Sequence, residues 1–345
     1  MRTDELDFEL PPDLIAQVPP AERGDSRLLH YRRADRAIAH RMFSDLPDLL
    51  RAGDLLVFND ARVLPARFML VKPTGGKVEG LYLSEQLPGR WRVMLKNVGS
   101  YSGPLIFAMD PSVSAQVIDV MGAGEYSIEL TPPIAPSELL DRVGRMPLPP
   151  YIRRDKDHDE RDDLDRARYQ TIFAQKDVAV AAPTASLHFS AAILESLKLR
   201  GVQSTFVTLH VGMGTFKPVT AEQLDDHEMH SERYTIDAQA AQAITLTKQE
   251  QRRVIAVGTT AARVLESQPA GDSIAACEDE TQIFIRPPYR WKHVDALLTN
   301  FHLPRSTLIA LVAAMTGLDE QRRIYAEAIA QRYRFFSYGD AMLIE

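Results

Sequence analysis

Three stretches of this chain repeat one succession: a short apolar run, a knot of polar residues, then a longer apolar run. Residues 178–182 lead through Pro183, Thr184 and His188 into a predicted helix over 190–200 that Gly201 closes. Residues 254–257 lead through Gly258, Thr259 and Thr260 into a helix near 261–267. The run before Asn300 leads through Phe301, His302 and Arg305 into a helix over 307–316. Strands joined to helices in this way predict βα units, because a crossover must return the chain before a parallel neighbour can start. Two more apolar runs end in polar loops: 205–209 before His210, Gly212, Gly214, Thr215 and Phe216, and 55–58 before Asn59 and Asp60. In such sheets ligands gather beyond the carboxyl ends of the strands, so five loops of this kind point to one shared site.

The junction within 294–316 says most about the ligand. Ser306 or Thr307 can cap its helix, Pro304 restricts the entering chain, and Gly317 stands where the helix should end. Free amides and the positive end of the helix dipole then face the junction, and Arg305 adds a two-pronged donor. A carboxylate or phosphate is the implied ligand. The alternative is that Asn300 and His302 satisfy buried backbone.

From about residue 61 to 134 the pattern changes. Segments 67–72, 78–83, 91–96, 105–109, 115–120 and 126–130 read as strands, separated by turn signals such as Thr74-Gly75-Gly76 and Gly122-Ala123-Gly124. Six short strands so spaced predict a small antiparallel barrel or sandwich. The strand before Asp60 belongs with the later βα units, so this segment is an insertion. The expected fold is mixed α/β: a discontinuous large domain with a mixed sheet, residues 1–60 plus 150–345, carrying an inserted small antiparallel β-barrel over 61–149. After a proline-rich linker at 146–151, the mixed-charge run 154–166 is expected to be a mobile, exposed loop.

A net charge of −7 argues against broad, nonspecific binding to nucleic acid, which a basic domain usually serves. Two local basic clusters remain, Arg32, Arg33, Arg36 and Arg41, then Arg142, Arg145, Arg153 and Arg154, and charge counting alone reads them as solvated surface. The opening Met-Arg-Thr-Asp-Glu-Leu has no signal pattern, and no apolar run approaches the roughly 20 residues that span a bilayer. A cytoplasmic protein is the expectation. Cys277, the one cysteine, leaves no internal disulfide or cysteine zinc cluster, and nothing around it suggests an activated thiol.

Gly212-x-Gly214 permits close backbone approach but lacks the full dinucleotide pattern, and there is no phosphate loop with its lysine. His227-Glu228-Met229-His230, taken with His188, His210 and His302, admits a metal-dependent hydrolase. It lacks the i, i+4 histidine pair, and polar anchoring of substrate is the better reading. Ser186, His188 and Asp295 admit a nucleophile, base and orienter, yet no Gly-x-Ser-x-Gly elbow surrounds any serine. A non-catalytic RNA-binding module is the remaining alternative, and the ionisable residues at strand ends speak against it. Near the end of the chain Phe335 reads as core, while Tyr338 and Asp340 in a turn read as ligand candidates.

From its first residues to its last the chain resembles the S-adenosylmethionine:tRNA ribosyltransferase-isomerase family of queuosine biosynthesis. The resemblance runs through Asp13-Leu14-Ile15-Ala16-Gln17, Ser26-Arg27-Leu28-Leu29, 59–67, 146–152, 182–189, 209–219, 227–234, the junction above and 335–344. It implies a large mixed α/β domain with an inserted β-barrel, a monomer without metal or prosthetic group, S-adenosylmethionine as ribosyl donor, and a tRNA anticodon stem-loop as partner. Members of the family transfer the ribosyl portion to 7-aminomethyl-7-deazaguanine at the wobble position and isomerise it, giving epoxyqueuosine with release of adenine and methionine. Ser186, Ala61 and Ala261-Ala262 depart from the usual pattern without removing an acid, base or anion ligand.

The sulfonium acidifies the ribose C5′ protons, so a neutral base is needed, and the expected base is His210 or His302. Glu228 or Asp60 is expected to exchange a proton with adenine or hold ribose hydroxyls. Phe216, Phe301 or Tyr338 is expected to face the sulfonium, and Arg305 the methionine carboxylate. Asn59, Arg62, Thr184, His188, Gly212, Gly214, Thr215, His230, Thr259, Thr260, Asn300, Ser306 and Asp340 complete the expected binding set. Arg153 and Arg154 are expected to meet tRNA beside the site.

Overall fold

Four apolar runs without an exposed residue, LLVFN, VIAV, ALLTN and AMLI, occupy the interior of one nine-stranded sheet. Burial on both faces accounts for such unbroken apolar strands. The structure is a computed structural model that describes residues 1–155, 159–179, 181–212 and 219–345. In chain order the strands are β1 (Arg27–Arg32), β2 (Ala37–Met42), β3 (Leu55–Asn59), β4 (Ala61–Val63), β5 (Arg67–Val71), β6 (Lys77–Leu87), β7 (Arg90–Lys96), β8 (Leu105–Phe107), β9 (Asp110–Gly122) and β10 (Glu125–Thr131). There follow β11 (Lys176–Ala179), β12 (Gln203–Leu209), β13 (Glu232–Ile236), β14 (Val254–Val257), β15 (Cys277–Thr281), β16 (Ala296–Asn300) and β17 (Ala341–Ile344).

The large sheet runs β15-β13-β12-β3-β14-β16-β17-β1-β2. Strands β12, β3, β14 and β16 are parallel, so their carboxyl ends share one edge. Strand β17 runs against β16 and with β1, and β13 runs against β12, so the amino ends of β17, β1 and β13 reach the same edge. At one border, β15 presents three consecutive exposed acidic residues, a charge pattern that resists pairing with another strand. Leu56 and Phe58, Ile255 and Val257, and Ala296 and Leu298 alternate onto one face. There they meet Phe43, Phe189, Ile193 and Leu197, partly from the helix Ala191–Leu199 that Ser190 caps. The helices Ala238–Gln249 and Thr259–Ser267 lie against β3 and β14. Each such buried Leu or Phe contributes about 1.5–3 kcal/mol.

The inserted segment forms a closed antiparallel barrel in the order β10-β7-β6-β5-β8-β9, with β9 and β10 completing the ring. All six expected strand segments are present, β6 and β9 longer than their apolar patterns suggested. Phe68, Trp91 and Phe107 fill the interior, and Gly80 is required beside them because a Cβ would lie 2.1 Å from the Phe68 ring. The chain divides into a large unit, Met1–Ala61, Thr171–Lys176 and Ala182–Glu345, and a second unit, Arg62–Gln170 with Asp177–Ala181. The second unit thus continues past residue 149.

Two local expectations change. Strand β11 pairs with β4 in a separate two-stranded sheet, so the 184–188 loop does not extend a strand of the large sheet. The described part of the mixed-charge run departs from an exposed loop: Asp162–Arg168 is helical, and Asp159 and Asp165 are buried, while 156–158 lie outside the described residues. Its acids answer the arginines of the linker. Arg154 grips Asp165 through Nε at 2.6 Å and a terminal nitrogen at 2.9 Å, with both side chains at most 7% exposed. Arg145 binds Asp162 at 2.5 and 2.9 Å.

Candidate functional site

The first polar cluster lies where the ends of β16, β17 and β1 meet, because Asn300 pairs with Ala341 and Ala341 with Leu28. The Asn300 amide is held from three sides. Thr184 Oγ1 donates to its Oδ1 at 2.8 Å, and its Nδ2 donates to His188 Nε2 at 3.1 Å and to the Asp340 carbonyl at 3.3 Å. With Nε2 accepting, His188 carries its proton on Nδ1 and donates to Ser26 Oγ at 2.9 Å. Burial pushes His188 down to about 3, helped by the charges of Arg334 and Arg23, so the ring is neutral near pH 7. The Asp340 carboxylate accepts the Arg27 amide at 2.9 Å and the Arg334 amide at 2.7 Å, which pins the turn before β17 to the start of β1.

A second cluster belongs to β3, β12 and β13, with β12 three strand spacings from β16, or roughly 14 Å. Asn59 Oδ1 accepts the amides of Ala61 and Leu209, both at 3.1 Å, and Thr208 Oγ1 donates to Asp60 Oδ1 at 2.6 Å. His210 follows β12 and is partly buried; among the described residues no hydrogen bond engages its ring. Burial lowers its pKa, the charge of Arg233 adds to that, and Glu278 opposes it. The Gly212 amide donates to Glu232 Oε1 at 2.9 Å, and the other Glu232 oxygen accepts from Arg263. Arg263 is buried, and its Nε and second terminal nitrogen have no partner among the described residues, nor have the hydroxyls of Thr260 and Ser186.

Between the clusters, Gly258 at φ +90° turns β14 into the helix bearing Thr259 and Thr260. A Cβ at Gly258 would lie 3.7 Å from Ala185, which shows that the turn Thr184–His188 crosses the end of β14. Four loops therefore leave parallel strands at this edge, and the fifth arrives over them.

At the junction after β16, Ser306 caps the helix Thr307–Thr316, accepting the Ile309 amide at 3.3 Å, and Gly317 ends it at φ +83°. Arg305 is exposed at φ +54°, its backbone tied to Leu6 and Val219. The neighbouring aromatic and imidazole face inward. His302 is buried with Nε2 at 2.8 Å from Thr299 Oγ1, and burial holds it at about 3. The fully buried Phe301, one of the aromatics expected to face the sulfonium, packs against Phe335, Tyr333 and Tyr325 at centroid distances of 5.1, 5.5 and 5.6 Å. Tyr338 is buried as well, and Phe335 is core. Asp340, expected as a ligand residue, is buried with its carboxylate on two backbone amides.

Asp295 opens β16 and accepts the Val254 amide at 2.8 Å, at the opposite sheet edge from His188, so no triad forms. Among the described residues no three His, Cys, Asp or Glu side chains gather in an arrangement that could hold a metal ion. Glu228 and His230 are exposed in an irregular segment, while Gly214, Thr215 and Phe216 lie outside the described residues. Arg62 and Arg153 are exposed on the second unit. Arg154, expected to meet tRNA, is buried with its guanidinium on Asp165. Cys277 Sγ lies 3.7 Å from Gln268 Oε1. Ser26, Thr208, Glu232 and Arg263 were not among the expected site residues. The one sequence signal was a charge, Arg263, set in a short stretch of small and apolar residues.

A mixed sheet whose parallel strands end in a shared polar edge, with a closed barrel inserted after its third strand, defines a mixed α/β protein. The chain belongs to the family described as queuosine biosynthesis protein, whose model it matches over residues 3–344. It is 50% identical over 345 residues to the S-adenosylmethionine:tRNA ribosyltransferase-isomerase of Thiobacillus denitrificans, covering 100% of this chain and 98% of that protein. The protein of that name from Geobacter sulfurreducens is 48% identical over 349 residues, with both chains covered completely. The crystal structure of S-adenosylmethionine tRNA ribosyltransferase from Thermotoga maritima matches with a TM-score of 0.56 and 33% identity, over 99% of this chain and 100% of that one.

Proposed function

We infer that this protein is a transferase of queuosine biosynthesis. It moves the ribosyl portion of S-adenosylmethionine onto 7-aminomethyl-7-deazaguanine at the tRNA wobble position and isomerises it, forming epoxyqueuosine and releasing adenine and methionine. The observation that supports this most is end-to-end identity of about half the residues with proteins of that name, which spans every loop at the polar edge. S-adenosylmethionine is a consumed substrate, tRNA is met through its anticodon stem-loop, and the protein acts as a cytoplasmic monomer. Among the described residues no helix is long and apolar enough to cross a membrane.

The reaction begins with loss of a C5′ proton beside the sulfonium, and the base must be neutral and reachable. His302 and His188 are neutral, but at about 3 each is a weak base and each is closed off by neighbours. His210 is the base in this reading. It is less buried, and its lowered pKa keeps it unprotonated at neutral pH. The second oxygen of Asp60, which no hydrogen bond engages among the described residues, lies beside Thr208 and suits a ribose hydroxyl or the departing adenine. Thr259 and Thr260 present the backbone and hydroxyl donors between them, while the Gly212 amide is held by Glu232 and fixes the neighbouring loop. Arg305, exposed just before the helix cap, takes the methionine carboxylate.

The test is His210→Asn and His302→Asn, assayed separately for adenine release with a stem-loop bound. His210→Asn should lose at least about a hundredfold in kcat, the usual scale for a general base. Near-normal turnover in that variant removes His210 from the role.

A further inference from the structure

Beyond the end of β15, at the same edge, an open groove of about 510 Å³ lies between the segment after Leu224 and residues 282–286. It adjoins the second cluster through strand pairing, because Thr281 lies opposite Glu232, whose carboxylate holds Gly212. The partly buried Phe284 supplies its aromatic surface, with Arg286 placed over that ring at 5.6 Å and His227 edge-on to it at 5.6 Å. Gln282 and Glu228 are exposed along its lining.

The charges do not balance. Arg286 is paired with Asp225, and burial, then the charge of His230, lowers the pKa of His227 so that it is neutral near pH 7. Glu228 has no cationic partner among the described residues, and the described lining side chains together carry one net negative charge. A surface that meets RNA ordinarily avoids an uncompensated carboxylate, because the backbone is a dense array of phosphates. The exception is a ligand that brings its own cation.

We propose that this groove is the subsite for the modified wobble base, with the deazaguanine ring against Phe284 and Arg286 and the ammonium of its aminomethyl arm on Glu228. The proposal rests on the reaction inferred above and names the part of the site that reads the acceptor. A base lifted out of a stem-loop is held by stacking on an aromatic ring and by contacts to its edges, which Phe284 and Gln282 provide. Glu228 distinguishes a base bearing an amine from the unmodified guanine of other anticodons, since only the former neutralises it. This gives specificity by leaving the wrong ligand's site with an unpaired charge.

Two anticodon stem-loops test it, one with 7-aminomethyl-7-deazaguanine and one with 7-methyl-7-deazaguanine at the wobble position, which lacks only the amine. Equilibrium binding without S-adenosylmethionine should favour the amine at least about tenfold in the unaltered protein. Glu228→Gln should bring that preference close to unity, by weakening the amine stem-loop and by relieving the unpaired charge that penalises the methyl stem-loop. Phe284→Ala should weaken both stem-loops alike, by about tenfold, as loss of one stacked base does. An unaltered protein without preference, or a Glu228→Gln variant that keeps it, overturns the proposal. Because the readout is binding, it stands apart from the reaction: failure of the unaltered protein to release adenine with either stem-loop would instead overturn the inferred activity.

Discussion

His302→Gln should change how the stability of the large unit responds to acid, in an amount the structure allows to be worked out. An unfolded histidine titrates near 6.5, whereas burial holds folded His302 at about 3. Between those values the unfolded chain binds one proton more than the folded one, so the contribution is complete above 6.5 and is lost as pH falls toward 3. From about pH 7 to about pH 5 the loss amounts to about 2 kcal/mol for each such histidine. His188, also held at about 3, adds a like amount at another place on the same edge. The measurement is urea unfolding in a Trp91→Phe background, which leaves Trp291 as the sole tryptophan of the chain. Its indole donates to the Ala314 carbonyl at 3.1 Å and so reports on the large unit. Glutamine at 302 does not titrate, so the variant should lose about 2 kcal/mol less than its parent over this pH interval. Equal losses in the two proteins would show that His302 is not a buried neutral imidazole, and the argument against it as the C5′ base would fall with that.

Arg154→Ala should destabilise the second unit by about 3–5 kcal/mol, read by Trp91 fluorescence during unfolding, because it strands the buried Asp165 carboxylate. Arg154→Met together with Asp165→Leu should recover most of that, and a single-variant loss under about 1 kcal/mol would indicate a solvated pair. Thr184→Val leaves Asn300 Oδ1 without its donor, so thermal unfolding should report a loss of about 1–3 kcal/mol, with KM for S-adenosylmethionine raised. Gly258→Ala should lose about 1–3 kcal/mol through backbone strain at φ +90°, since a Cβ there would make only ordinary contacts, at 3.5 Å from Thr260 and 3.7 Å from Ala185; an unchanged Tm would contradict that conformation.

Much of the architecture was legible because it rests on patterns local in the chain. Runs such as 55–58 and 254–257 are apolar throughout, as strands covered on both faces must be, and the shift to short turn-punctuated strands after residue 61 marked the barrel. Ser306 and Gly317 announced the limits of their helix by cap chemistry alone. The polar edge was legible as well, since strands of a parallel sheet deliver their following loops to one side.

The roles of individual side chains were less legible, for they depend on partners far away in sequence. Asn300 reads as a ligand until Thr184, His188 and the Asp340 carbonyl are seen to occupy it. Phe301 reads as an aromatic face until three rings enclose it. Arg154 reads as a phosphate contact until Asp165, eleven residues on, neutralises it in a buried pair. Sequence by itself determined the mixed α/β plan, the inserted barrel, the polar edge and the family, because each is written in local periodicity or in contiguous motifs. Only the tertiary structure decided which of those polar groups are bound by the protein's own groups and which stay open to a ligand, because burial and hydrogen-bond saturation depend on strand order and long-range contacts.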